Sequence, residues 1–149
     1  MPYSPMLVQP MREELTAIGF QELRNPEDVD RFLGDKSGTA LLVVNSVCGC
    51  AAGMARPGVR LAVGRQPRPD RLATVFAGQD LEATARARSF FAGVPPSSPS
   101  LALFKDGELV YFVPRHRIEG RSAADLASDL ANAFERFCGA PAASPAPRS

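Results

Sequence analysis

The run Ala40-Leu41-Leu42-Val43-Val44 is apolar at every position and ends on one polar side chain, Asn45. It shows no alternation of apolar and polar residues, so it cannot rest one face on a core and the other in water. Such a run, rich in branched residues, predicts a strand buried on both faces at the centre of a sheet. Covering both faces takes a chain of reasonable length. With 149 residues, 45% hydrophobic and 22% charged, a single domain with a substantial core is the expectation and a multidomain enzyme is excluded.

The rest of the chain reads as partners for that strand. Met11, Leu15 and Ile18 recur at helical spacing and predict an amphipathic helix ending near Gly19. Asn25-Pro26-Glu27-Asp28 starts a second helix, with Asn25 as the cap, Pro26 in the first turn and acids at the positive helix end. Val29, Phe32 and Leu33 form its apolar face, and Gly34 closes it. After the central strand, Ala51, Ala55, Val59, Ala62 and Val63 mark a helix that Pro57 and Gly58 should kink or weaken. Gln66-Pro67-Arg68-Pro69-Asp70 is a loop, and Leu72–Ala77 a second buried strand; a strand, helix, strand unit of this length requires a parallel pair with a right-handed crossover. Asp80 caps a helix running to about Phe91, followed by the proline-rich loop Gly93–Pro99. Asp106-Gly107 joins Leu101–Lys105 to Glu108–Val113 as a two-residue antiparallel hairpin. Ser122-Ala123-Ala124-Asp125 resembles a capping box, and Leu126, Leu130, Phe134 and Phe137 stripe a last helix that covers the sheet. The domain therefore spans residues 1–138, and residues 139–149, rich in Ala, Pro and Ser, read as a disordered tail.

Seventeen Lys and Arg against 16 Asp and Glu create no field that favours nucleic acid or an anionic membrane. The longest aliphatic run is far short of the roughly 20 residues that cross a bilayer. The N-terminus lacks the basic start and apolar stretch of a secretory signal, so a cytoplasmic location is expected. There the three cysteines stay reduced and do not form a disulfide framework.

Two of them stand at Asn45-Ser46-Val47-Cys48-Gly49-Cys50-Ala51, where the buried strand gives way to a helix. A helix start offers unpaired N–H groups and partial positive charge, which stabilise a thiolate. Cys48 is thus the nucleophile candidate, at the carboxyl end of a parallel strand, where open α/β sheets leave a crevice for ligands. Gly49 allows the bend that brings the Cys48 and Cys50 sulfurs together. The ring they would close is small, so a Cys48–Cys50 disulfide should be labile and catalytic, and a mixed disulfide on Cys48 correspondingly long-lived. That chemistry suits exchange with a small thiol. Half a zinc site is the competing use of C-x-C, but one His and one remote Cys do not complete four ligands. Inert core packing is the other alternative. Cys138 reads as a bystander thiol, and His116, among arginines, as a solvated loop residue.

The order strand, Cys motif at a helix start, strand, helix, Ser98-Pro99, hairpin, helix resembles the thioredoxin fold, an α/β architecture with a central mixed sheet flanked by helices. That resemblance implies a cis-proline at Pro99, opposite the redox cysteine, presenting the backbone of Ser98 to an incoming disulfide. More closely, Val44–Gly53, Val75–Asp80, Pro96–Ser100 and Pro114-Arg115-His116 are similar, in order and interval, to the bacilliredoxin family, across about Tyr3 to Cys138. The basic, proline-rich stretch Gly64–Arg71 and the tail fall outside the family pattern. The resemblance implies a glutaredoxin-like thiol–disulfide oxidoreductase with no bound cofactor and no metal. Its co-substrate would be bacillithiol, a low-molecular-weight thiol, and its partners S-bacillithiolated proteins, from which it removes that thiol after oxidative stress. Cys48 matches the attacking cysteine and Cys50 the second one. Ser46, Val47, Gly49, Ser98 and Pro99 would line the substrate groove. A protein disulfide isomerase and a non-catalytic redox-sensing module are the alternatives.

Overall fold

A computed structural model describes residues 3–139, so the expected tail from residue 140 onward lies outside the described residues. In chain order the elements are α1 (Pro5–Thr16), β1 (Gln21–Glu22), α2 (Pro26–Leu33), β2 (Thr39–Asn45), a widened helical turn (Ala51–Ala55) leading into α3 (Arg56–Val63), β3 (Arg71–Phe76), α4 (Leu81–Ser89), β4 (Ser100–Lys105), β5 (Glu108–Val113), a short 3₁₀ turn (Arg115–Arg117) and α5 (Ala123–Cys138).

The apolar run forms β2, buried at all seven positions, at the middle of a sheet of order β1-β3-β2-β4-β5. It pairs parallel with β3 and antiparallel with β4, so the sheet is mixed. Successive side chains of a strand point to opposite faces, and β2 feeds two separate cores. Leu41 and Val43 pack with Val59, Leu126, Leu130 and Phe134 of α3 and α5. Ala40, Leu42 and Val44 pack with Val29, Phe32, Ala83 and Ala87 of α2 and α4. Leu41 and Leu42 are 1% and 0% exposed, each side chain contributing about 1.5–3 kcal/mol through burial.

Most of the expected elements are found, with informative differences. Asn25 Oδ1 accepts from the Asp28 amide at 2.8 Å and Ser122 Oγ from the Asp125 amide at 3.0 Å, as their cap positions predict. Asp106 (φ 52°) and Gly107 (φ 86°) form the tight hairpin turn in the left-handed region. β1 goes unforeseen because two residues carry no periodicity; it adds parallel to β3 at Gln21↔Ala73. In α1 the buried positions are Val8, Arg12 and Leu15, while Met11 is only half-buried. Arg12 is 2% exposed; its guanidinium pairs with Glu22 and, at 2.8 and 3.1 Å, with both oxygens of Asp80, and lies 5.2 Å from the Phe76 ring centroid. Asp80 consequently does not cap α4 with its side chain, contrary to expectation: the carboxylate is taken by Arg12. Gly34 closes α2 as expected, its amide donating to Asp30 O at 2.8 Å, with a right-handed φ of −73°.

Pro57 and Gly58 do not break their helix. The Arg56 amide donates to Ala51 O, five residues back, and this widened turn absorbs the misfit immediately before the residue that has no N–H. Gly58 serves close packing: a Cβ there would meet Leu126 Cδ2 at 2.9 Å and the Ala123 carbonyl at 3.1 Å. Gly58→Ala should therefore destabilise the fold by about 1–3 kcal/mol through overpacking of α3 against α5, read as a lower urea midpoint at unchanged slope.

Candidate active site

β2 ends at Asn45, and the polypeptide leaves the sheet through Ser46 and Val47 before the helical segment begins at Gly49. Cys48 sits at that helix start, its carbonyl accepting from the amides of Ala51 and Ala52 at 3.1 and 3.2 Å. Cys48 is half-buried, Gly49 exposed and Cys50 buried. The two sulfurs lie 3.0 Å apart, both as free thiols. Gly49 does not have the role expected of it: its φ is not positive and an added Cβ would meet nothing. The helical turn itself brings the sulfurs together, and Gly49 leaves open space beside Cys48.

The two thiols are driven in opposite directions. Partial burial pushes Cys48 up, but hydrogen bonds from Cys50 Sγ, from Ser46 Oγ at 3.2 Å and from the amides of Ala51 and Cys50 outweigh it, so Cys48 titrates below an ordinary cysteine. Burial pushes Cys50 up, and its hydrogen bond to Cys48 and repulsion by the Cys48 thiolate push it further, against a downward pull from Arg115. One proton is shared unequally by the pair: Cys48 holds the charge and Cys50 donates to it.

Ser46 is held by a buried network that the sequence reading did not anticipate. Asn45 Oδ1 accepts from the Ser46 amide at 2.9 Å, while Arg56 Nη1 donates to Asn45 Oδ1 and to Ser46 O, both at 2.8 Å. Asn45 Nδ2 donates to Met11 O at 3.2 Å. Arg56 is 2% exposed, and Glu14 Oε1 lies 3.1 Å from its Nε as an ion pair without aligned hydrogen-bond geometry. The available signal was an arginine among small residues, one π-helical turn into a helix that starts at the cysteines; the sequence does not reveal that it turns inward.

Pro99 is cis, as the resemblance implied, and so is Pro67, which was not foreseen. Val44 pairs with Ser100 and Leu101 with Val113. The cis-proline therefore directly precedes β4 at the end of the sheet where β2 gives way to the cysteines, and Arg115 follows β5 at that same end. Arg115 indeed donates from its amide to Ser97 Oγ at 3.2 Å and from Nη1 to Ser98 O at 3.3 Å. Ser46, Val47, Cys48, Gly49, Cys50, Ser98 and Pro99 thus gather at one end of the sheet. Cys138 is elsewhere: burial raises its pKa, and its polar neighbours Thr39, Asp70 and Lys105 belong to the opposite end of β2. His116 does not reach the thiols' hydrogen bonds but lines an apolar cavity with Val94, Pro95, Ser97 and Phe112. Among the described residues no group of three His, Cys, Asp or Glu could hold a metal ion, and no helix is long and apolar enough to cross a membrane.

Residues 3–138 match the family model described as "Disulphide isomerase". The chain is 57% identical over 141 residues to a bacilliredoxin of Salinibacter ruber, covering 93% of this chain and 83% of that one. The chain belongs to the bacilliredoxin family. A second bacilliredoxin, from Geobacillus kaustophilus, is 54% identical over 138 residues, covering 92% and 95% of the two chains. Solved structures place this bacilliredoxin family member in the thioredoxin fold: thioredoxin O2 of Arabidopsis thaliana superposes with TM-score 0.56 at 16% identity over 82% of this chain and 96% of that one. Fasciola hepatica thioredoxin gives 0.55 at 17% identity over 79% and 99%. It is a redox protein with a thioredoxin-like architecture.

Two outcomes are expected. Alkylation of Cys48 by iodoacetamide rises with pH as the thiolate forms; because hydrogen bonds favour the charged form, its inflection falls below that of a free cysteine, and Ser46→Ala moves it upward. Arg56→Met strips the donors from Asn45 Oδ1 and Ser46 O in the interior and should cost about 3 kcal/mol of stability by urea unfolding.

Proposed function

We propose that this protein is a thiol–disulfide oxidoreductase that removes bacillithiol from S-bacillithiolated proteins by way of a mixed disulfide on Cys48. The observation that carries the reading is the unequal pair: an accessible Cys48 whose thiolate is stabilised, 3.0 Å from a buried Cys50 that keeps its proton. The family name of its relatives supports the small-thiol partner.

In the first step the Cys48 thiolate attacks the bacillithiol sulfur of the modified protein. A Cys48–bacillithiol disulfide forms, the original disulfide breaks, and the protein sulfur leaves as a thiolate that takes a proton from water. Rate follows thiolate fraction and access, which the lowered Cys48 pKa and the open space beside Gly49 both favour. Ser46, Val47, Ser98 and Pro99 form the walls that receive the disulfide. No resident cofactor or metal takes part in these steps.

Two routes clear the adduct. A second bacillithiol thiolate attacks the bound bacillithiol sulfur, releasing Cys48 as thiolate and bacillithiol disulfide. Alternatively Cys50 loses its proton and attacks Cys48, closing the intramolecular disulfide and releasing bacillithiol. Once Cys48 is in a mixed disulfide its charge is gone, which removes the repulsion that keeps Cys50 protonated and leaves the pull of Arg115. The pair therefore works in order, Cys48 first and Cys50 second. Both steps require thiols kept reduced, which suits the cytoplasm.

The description of the matching family model favours one rival, a disulfide isomerase. It differs in acting on scrambled protein disulfides with no small thiol present. Incubation of a bacillithiolated protein with the native chain should release at most one equivalent of bacillithiol per chain, closing the Cys48–Cys50 disulfide, and should free the protein thiol repeatedly once bacillithiol is supplied as reductant; Cys48→Ser should reduce both to background, and native turnover by that variant overturns the mechanism. Cys50→Ser should accumulate the Cys48 adduct without free bacillithiol and turn over when it is added, both read by mass spectrometry.

A further inference from the structure

Arg115, which acts on Cys50 through its charge in the exchange steps above, is also held against the loop that ends at cis-Pro99. Arg115 is anchored there at three points: its amide on Ser97 Oγ, Nη1 on Ser98 O, and Nε at 3.1 Å from Glu119. Its side chain remains 43% exposed, and among the described residues Nη2 has no protein partner. A guanidinium fixed at one edge and open at the other is preorganised to receive a carboxylate, which pairs with its planar fork. A cavity of about 350 Å³ shares Ser97 with its anchors and is lined mainly by Val94, Pro95, Phe112 and Pro114.

We infer that Arg115 is the specificity-determining residue for the small thiol, binding a carboxylate of the low-molecular-weight thiol while that thiol's sulfur exchanges at Cys48. The Ser98 carbonyl points the same way. Its bond from Nη1 fixes the guanidinium beside the cis-proline, on the wall that receives the disulfide. The field of Arg115 also falls on both sulfurs, lowering Cys50 and being itself raised by Cys50 and Cys48. The cation and the thiols are thus within electrostatic reach of one another across the cis-proline loop that Arg115 holds. This role presupposes the exchange at Cys48 proposed above.

The test uses the full chain with Cys50→Ser, carrying a neutral thiopyridyl group on Cys48. An incoming thiolate attacks the Cys48 sulfur, forms the new mixed disulfide and releases thiopyridone, whose absorbance gives the rate. Mercaptosuccinate is compared with uncharged 2-mercaptoethanol, each rate expressed per thiolate, so that any change in Cys48 itself cancels in the ratio. Arg115→Gln, which keeps a donor for Ser98 O but removes the charge, should lower the mercaptosuccinate preference about 2- to 5-fold, as for a partly exposed ion pair. Arg115→Lys should retain most of it, and added salt should erode the preference in the Arg and Lys proteins but not in the Gln protein. An equal preference in all three proteins, or equal salt dependence in all three, overturns the role of Arg115. Failure of the exchange reading shows differently: thiopyridone would be released from none of the proteins faster than from a free cysteine adduct.

Discussion

Burial of β2 on both faces governs the site as well as the core. A strand inside the molecule has its backbone groups satisfied only while the ladder continues, and at Asn45 the β4 side of the ladder ends although the chain is still buried. Unpaired polar groups there would cost about 1–3 kcal/mol each. The fold meets this with side chains: Asn45 takes the Ser46 amide, and Arg56 takes the Ser46 carbonyl along with Asn45 Oδ1. The peptide groups before the cysteines are held at both polar ends. Ser46 can then aim its hydroxyl at Cys48 without being free to turn away.

The same strand explains why the cysteines differ although one residue separates them. Leaving the sheet and entering a helix turns Cys48 toward the surface, with amides at its back, and turns Cys50 into the core formed by α3 and α5. At Cys48 partial burial is outweighed by hydrogen bonds from the Cys50 thiol, a serine hydroxyl and helix amides, which favour a charge there, whereas burial and the neighbouring charge oppose one at Cys50. No base is needed to activate the nucleophile, since the thiolate is stabilised where it sits.

Access and rigidity are supplied by different elements. α1 is tied through Arg12 to β1 and to the turn before α4, and through Glu14 and Met11 to the Arg56–Asn45 network. The other wall comes from the loop ending at cis-Pro99, braced by Arg115 after β5. Each support thus hangs from the end of a strand adjacent to, or once removed from, β2, and a side chain at Gly49 would meet nothing, which leaves open space beside Cys48.

The helices, the central strand, the hairpin and the cysteine pair were legible because each rests on local chemistry: periodicity, a cap, a turn dipeptide, or a helix start after an apolar run. The segments similar to the bacilliredoxin family also carried the cis-proline, which composition does not signal. The inward turn of Arg56, the capture of Asp80 by Arg12 and the use of Gly58 as a contact were not legible, since each joins residues 10 to 68 positions apart in sequence. Gly49 was misread because the bend credited to it comes from the helix. The sequence by itself determined which residues could carry thiol chemistry and which strand must be central, because hydrophobic patterning and residue type act over a few positions. Only the tertiary structure decided which sulfur is charged, what holds the loop and which cation faces the opening, because burial and long-range hydrogen bonds exist only once β2, α1, α3 and the cis-proline loop have packed together.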